Sequence, residues 1–300
     1  MDTLAQRLAC YKTIALIGMA KNAGKTTALN RLINDFSQSG FSMALTSIGR
    51  DGEELDLVTA TAKPGIYVPS GSVIVTTEGL LAYCDTTLEI LSVTDIGTPV
   101  GRVVIIRALS DGFVQIGGPS TVSRMAEVVN VASVSGADKI IIDGAISRKS
   151  TAAPVLAEAV VLCTGASLSS DMDSVINETR HVVRMFGLPK YDESAATPLY
   201  IQGAVTDAKM KELTHFEKDL KNRVTVADDP SKMLISPPVY EKFKIKGGVL
   251  AVKKRVNLIA VTVNPTSPRG FSFPPKVFLE NMRKAVSVPV YDVLQEDSDA

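Results

Sequence analysis

The sequence predicts an α/β fold in which a mostly parallel sheet is flanked by helices and carries a β-rich elaboration. Three observations lead there. Short apolar runs of strand length alternate with segments whose apolar residues recur at helical spacing. A glycine-containing turn joins the first such strand to the first long helix, and another strand follows, which makes a right-handed βαβ unit. The runs at 139–142 (KIII) and 159–164 (AVVLCT) have the near-continuous apolar character of strands covered on both faces.

Residues 13–17 (TIALI) are the first predicted strand. A helix is expected over 26–39, with Leu29, Leu32, Ile33 and Phe36 on one face and Gly40 as its stop. Residues 43–46 are the next strand. The stretch 64–118 reads differently, with β-rich runs at 72–76, 87–94, 101–108 and 113–116 separated by turn signals at 97–99 and 110–112. It is expected to be an antiparallel insertion on a core formed by 1–63 and 119–300, or part of one compact domain. Helical spacing returns over 120–134, and strand 139–142 follows. A short helix is expected near 152–158, a strand at 159–164, and a helix over 171–186 that Gly187 and Pro189 end. Strands at 198–205, 249–254, 257–263 and 288–293 and helices at 207–221 and 274–286 complete the reading. The acidic tail QEDSDA is expected to fray.

Composition narrows the function classes. The chain has 300 residues, 45% of them hydrophobic and 21% charged, with 32 cations against 32 anions. A net charge of zero argues against sequence-independent nucleic-acid binding, which needs surplus cations. The three cysteines, Cys10, Cys84 and Cys163, are far apart and without CxxC spacing, so reduced thiols are expected rather than disulfides or a zinc site. His181 and His215 are the only histidines, too few for a histidine metal cluster, and each falls in a helical pattern with no catalytic role expected. No apolar run is long enough to span a bilayer, and the N-terminus is too polar for a signal peptide, so a soluble, cytoplasmic protein without membrane association is expected.

The segment Gly18-Met19-Ala20-Lys21-Asn22-Ala23-Gly24-Lys25-Thr26-Thr27 follows a predicted strand and opens a predicted helix. Small residues let a backbone curl so that successive N–H groups converge on phosphate oxygens, and the helix N-terminus adds partial positive charge. Gly18, Lys21, Asn22, Ala23, Gly24, Lys25, Thr26 and Thr27 are the candidate phosphate cradle. Lys25 is the cation for the terminal phosphates, and the Thr26 hydroxyl is a magnesium ligand. Five residues separate Gly18 from Gly24 where a standard phosphate loop has four, and Met19 stands where glycine is usual.

A polyphosphate with one lysine also calls for magnesium, and magnesium calls for carboxylates. Asp143 follows the KIII strand on the expected rim; an Asp-Gly turn is the alternative. Asp51, in the run Ser47-Ile48-Gly49-Arg50-Asp51-Gly52-Glu53-Glu54, is the second candidate for metal and catalysis, with a solvated acidic turn as the alternative. Arg148 and Lys149 are either charge stabilisers or surface residues. Thr76 to Gly79 and Gly117 to Ser120 follow strands and read as turn chemistry. Asn264 ends a late strand, where it is either a base-binding amide or the opener of an Asn-Pro turn. The absence of an NKxD sequence favours ATP over GTP.

The longer loop resembles that of dethiobiotin synthetase and its relatives, the SIMIBI branch of the P-loop NTPases. This resemblance implies a parallel-sheet P-loop fold using ATP and Mg2+, with an acid after the second strand near the metal. The strings GMAKNAGKTT, TSIGRDGEELD, TTEGLL and IIDGAISRKS together are similar to a small P-loop family of reactivase subunits for the cobalamin-dependent lysine 5,6-aminomutase, over residues 12–188. That resemblance implies a protein partner, a cobalamin-dependent aminomutase, remodelled by nucleotide binding or hydrolysis. An ATP-dependent small-molecule synthetase or kinase, a non-hydrolysing nucleotide sensor, and a homodimer stay open.

Overall fold

The computed structural model describes residues 2–49, 65–145, 156–193, 197–216 and 220–294. The first strands in chain order are β1 (Thr13–Gly18), β2 (Met43–Ser47), β3 (Ile66–Val68), β4 (Val73–Thr77), β5 (Leu88–Thr98), β6 (Gly101–Ala108), β7 (Gly112–Val114), β8 (Lys139–Ala145) and β9 (Ala159–Gly165). They are followed by β10 (Thr197–Tyr200), β11 (Val205–Thr206), β12 (Arg223–Ala227), β13 (Met233–Leu234), β14 (Val249–Val252), β15 (Leu258–Asn264) and β16 (Val290–Tyr291). The helices are α1 (Leu4–Leu8), α2 (Lys25–Gln38), α3 (Val122–Val134), α4 (Met172–Phe186), α5 (Asp207–Phe216), α6 (Pro237–Ile245) and α7 (Pro275–Ala285).

A nine-stranded sheet in the order β16-β15-β9-β1-β8-β2-β4-β6-β5 forms the core. Every pairing from β16 to β4 is parallel, and β6 and β5 add an antiparallel edge. The architecture is therefore the expected one: α/β, mostly parallel, with extra strands. The central strands are apolar because both faces are covered. Every residue of β1 and of β9 is buried. On one face Ile14, Leu16, Ile141 and Val161 pack against Leu4 and Leu8 of α1 and Leu29, Leu32 and Phe36 of α2. On the other, Ile17, Ile142 and Leu162 pack with Met125 of α3, Val183 and Phe186 of α4 and Phe278 of α7. Alternation along each strand sends successive side chains to opposite faces, so one apolar run feeds both layers.

Three details differ from the sequence reading. Residues 73–77, expected in the antiparallel elaboration, pair parallel with β2 on one side and antiparallel with β6 on the other, and β6 is the strand of this sheet that runs against the rest. β5 pairs with β6 through two register shifts, between Ile90 and Ser92 and between Val93 and Gly97. The strand expected over 198–205 is two short ones, β10 and β11, with Gly203 at φ 70° between them. β10, β12 and β14 form a separate three-stranded parallel sheet, and Met210, Phe243, Leu250 and Val252 belong to its own apolar cluster, which reaches α4 at Met185. No helix among the described residues is long and apolar enough to cross a membrane.

Candidate functional site: the loop between the first strand and the helix that follows it

The loop begins one residue later than its sequence suggests. Met19 continues the ladder of β1, its N–H donating to the Cys163 carbonyl of β9 at 2.8 Å. Its side chain is 9% exposed within the α4-side core and accepts a contact from the Thr179 hydroxyl at 3.3 Å. The extra residue in the spacing is thus absorbed by the strand, and the curl itself runs from Ala20 to Gly24. Two left-handed residues make the curl: Asn22 at φ 60°, the single non-glycine with positive φ among the described residues, and Gly24 at φ 86°. Glycine tolerates this region without a β-carbon clash, and asparagine is among the few other residues that visit it.

Gly24 is the N-cap of α2, and no side chain caps the helix. The first amide of the helix with a backbone acceptor is Ala28, bonded to the Gly24 carbonyl at 2.9 Å. The N–H groups of Ala23, Gly24, Lys25, Thr26 and Thr27 have no acceptor among the described residues. A helix start leaves about four donors open, and here the loop adds to them. Such a cluster, with the positive end of the helix dipole behind it, suits an anion.

Lys25 and Asp143 meet beside this cluster. Asp143 lies within β8, in register with Leu16 of β1 and Ser47 of β2, so the residues at 143 and 144 form strand and not the alternative turn. β1 and β8 are neighbours, and residue parity points Asp143 to the α2 face. Lys25 Nζ stands 2.5 Å from Asp143 Oδ1, with side chains 22% and 18% exposed. That oxygen is buried and accepts no hydrogen bond of good geometry, so the pair is a charge contact without a satisfied hydrogen-bond set. Below them Cys163 is fully buried, and desolvation pushes its thiol up to about 11 from an ordinary 9.0, against a hydrogen bond with Thr262 and the nearby Lys25 charge.

The structure therefore brings together Gly18, Lys21 through Thr27, Asp143 and Asn264 on the carboxyl-terminal rim of the sheet, the edge where open α/β sheets bind ligands. Asn264 ends β15, and its amide contacts the loop, donating to the Asn22 carbonyl at 3.2 Å. Asp51, Arg148 and Lys149 lie outside the described residues. Among the described residues no group of three or more His, Cys, Asp or Glu side chains could hold a metal. Magnesium on a nucleotide does not need one, because phosphates and water fill most of its shell.

Other polar groups weighed in the sequence have structural partners. Thr76 donates to the Gln115 carbonyl at 2.8 Å, and Glu78 receives the Arg102 guanidinium at 2.8 Å, which holds its carboxyl below the usual range. Gly79 donates to Val100, and Thr121 caps α3 by accepting from Arg124 N. Thr164 and Thr179 hydroxyls meet at 2.8 Å. Thr77, from the run Thr76 to Gly79, and Thr46 of β2 are both 0% exposed, and their hydroxyls have no hydrogen-bond partner among the described residues.

No protein-family model matches this chain, and no curated protein does. A solved structure of the signal recognition particle receptor FtsY from Elizabethkingia anophelis is similar at 13% identity and a TM-score of 0.33, over 90% of this chain and 65% of that one. The same receptor in complex with GDP gives 16% identity and a TM-score of 0.30, over 93% and 55%. This chain spans less than two thirds of the receptor's length, and likeness at this level fixes neither fold nor activity. What stands is a curled loop, an open helix start and a paired lysine and aspartate on the carboxyl-terminal rim of a mostly parallel sheet.

Proposed function

We propose that the chain binds a magnesium nucleotide, ATP in preference to GTP, in the loop from Gly18 to Thr27 and hydrolyses it. The observation that supports this most is the Lys25–Asp143 contact of 2.5 Å beside five backbone amides that have no acceptor among the described residues. A cation and a carboxylate placed together at an anion-binding helix start match the needs of a polyphosphate and its metal. The donor set fits: backbone amides and Lys25 for the phosphates, the Thr26 hydroxyl and Asp143 for Mg2+, with Asp51 as the second acid. Magnesium there neutralises charge on the terminal phosphates. Lys25 faces Asp143 in this structure; with a magnesium nucleotide bound, the ammonium would have phosphate oxygens and the carboxylate a cation as partners.

The resemblance of the sequence strings to reactivase subunits gives the cycle its purpose in this reading: remodelling of a protein partner, a cobalamin-dependent aminomutase. Calorimetry with Mg-ATP and Mg-GTP tests the site, together with phosphate release measured alone and with such an aminomutase. Binding and turnover are expected in the wild type. In Lys25→Ala, turnover is expected to fall by a factor on the order of 100 or more, the effect of losing one donor to developing charge. No heat with either nucleotide would end the reading.

A further inference from the structure

The Asn264 side chain is engaged at both ends. Its Nδ2 donates to the Asn22 carbonyl at 3.2 Å, and its Oδ1 accepts the Thr266 N–H at 3.1 Å. These partners fix the amide's orientation, since a flip would set oxygen against oxygen and donor against donor. The backbone closes around the same residue. A β-carbon on Gly24 would lie 2.8 Å from Asn264 Cβ, and one on Gly165 would lie 2.3 Å from the Asn264 carbonyl oxygen. Asn264 is therefore wedged between the end of β9 and the start of α2. The carbonyl it holds belongs to Asn22, the residue in the least favourable backbone region of the loop, at φ 60°.

We propose that Asn264 is a positioning residue for the phosphate loop: its amide and its wedge hold the Asn22–Gly24 curl in the shape that keeps the Ala23–Thr27 amides open. It rests on the nucleotide reading above and adds to it that Asn264 sets affinity for the polyphosphate and not the choice of base. A loop held in its binding shape before the ligand arrives loses less entropy on binding, so the benefit appears in affinity. The base-reading role the sequence suggests would instead leave a ligand without a base indifferent to residue 264.

The experiment measures binding of Mg-ATP, Mg-GTP and Mg-tripolyphosphate, which has no base, to wild type, Asn264→Ala and Asn264→Asp. Loss of the amide is expected to weaken all three ligands by the same factor, about three- to tenfold, the usual size of one hydrogen bond. Turnover at saturation is expected to stay within about twofold, which a general structural defect would not spare. Asn264→Asp keeps the size of the wedge but turns a carboxylate oxygen toward the Asn22 carbonyl, so it is expected to weaken all three ligands further. Unchanged binding in both variants overturns the proposal. So does a loss confined to ATP and GTP with tripolyphosphate unaffected, which would make Asn264 a base reader. A wild type that binds none of the three overturns the nucleotide site itself, and this inference with it.

Discussion

At the scale of single residues, the site depends on which charge faces which. Asp143 holds Lys25 at 2.5 Å, and in the proposed complex the same carboxylate turns to the metal. Asp143→Asn keeps the shape and removes the charge. It is expected to spare most nucleotide binding and to raise the magnesium concentration needed for half-maximal turnover by about 10- to 100-fold, read from a magnesium titration at fixed ATP. Cys163 offers a second test. Burial raises its thiol to about 11, so between pH 9.0 and that value the unfolded chain has lost the proton while the native chain keeps it. Native stability contributed by this group is then whole below pH 9.0 and falls as pH rises through the window. Urea unfolding of wild type and Cys163→Ala at several pH values is expected to show their stability difference narrowing from pH 9 upward. The packing lost in the variant is independent of pH. Lys25 and Asp143 were legible in the sequence because a GKTT string and an acid after an apolar strand have local signatures. The Asn264–Asn22 contact was not, since its partners are 242 positions apart and only the finished sheet places β15 beside the loop.

At the scale of elements, periodicity did most of the work. α2 buries Ala28, Leu29, Leu32, Ile33 and Phe36, the face that the sequence marks at helical spacing. α4 does the same with Val175, Ile176, Val182, Val183 and Phe186. Leu32 is 0% exposed, so Leu32→Ala is expected to cost about 2–5 kcal/mol in urea unfolding, while Ser37→Ala on the exposed face of the same helix stays within about 0.5 kcal/mol. A loss at Leu32 no larger than that at Ser37 would mean that α2 does not pack as described. Elements too short to show a period escaped the sequence reading. α1 has five residues, and β13 two. α6, which the sequence reading does not contain, opens on two prolines, Pro237 and Pro238, residues that suit the first turn of a helix. The direction of β4 was illegible for another reason. Parallel or antiparallel is decided by a neighbour's arrival, and β2 and β4 are joined through a long stretch of chain whose path has no local code.

At the scale of the whole molecule, the sheet brings distant segments to one rim. β1, β8, β9 and β15 bring Gly18, Asp143, Gly165 and Asn264 together, and no two of these strands are consecutive in sequence except β8 and β9. The rim is continuous with the core, since the ladder that holds Met19 to Cys163 is also the start of the loop. The opposite margin of the sheet has its own consequence. β5 is an eleven-residue border with half its backbone unmatched, and Ile90 and Val93 stand exposed along it. A straight border of that kind would invite another copy to dock and lengthen the array without limit. The two slips in β5 throw its amides out of phase, so an approaching strand can align with one short stretch at a time. Irregular pairing of this kind is one of the features that make a sheet margin a poor template for a further strand.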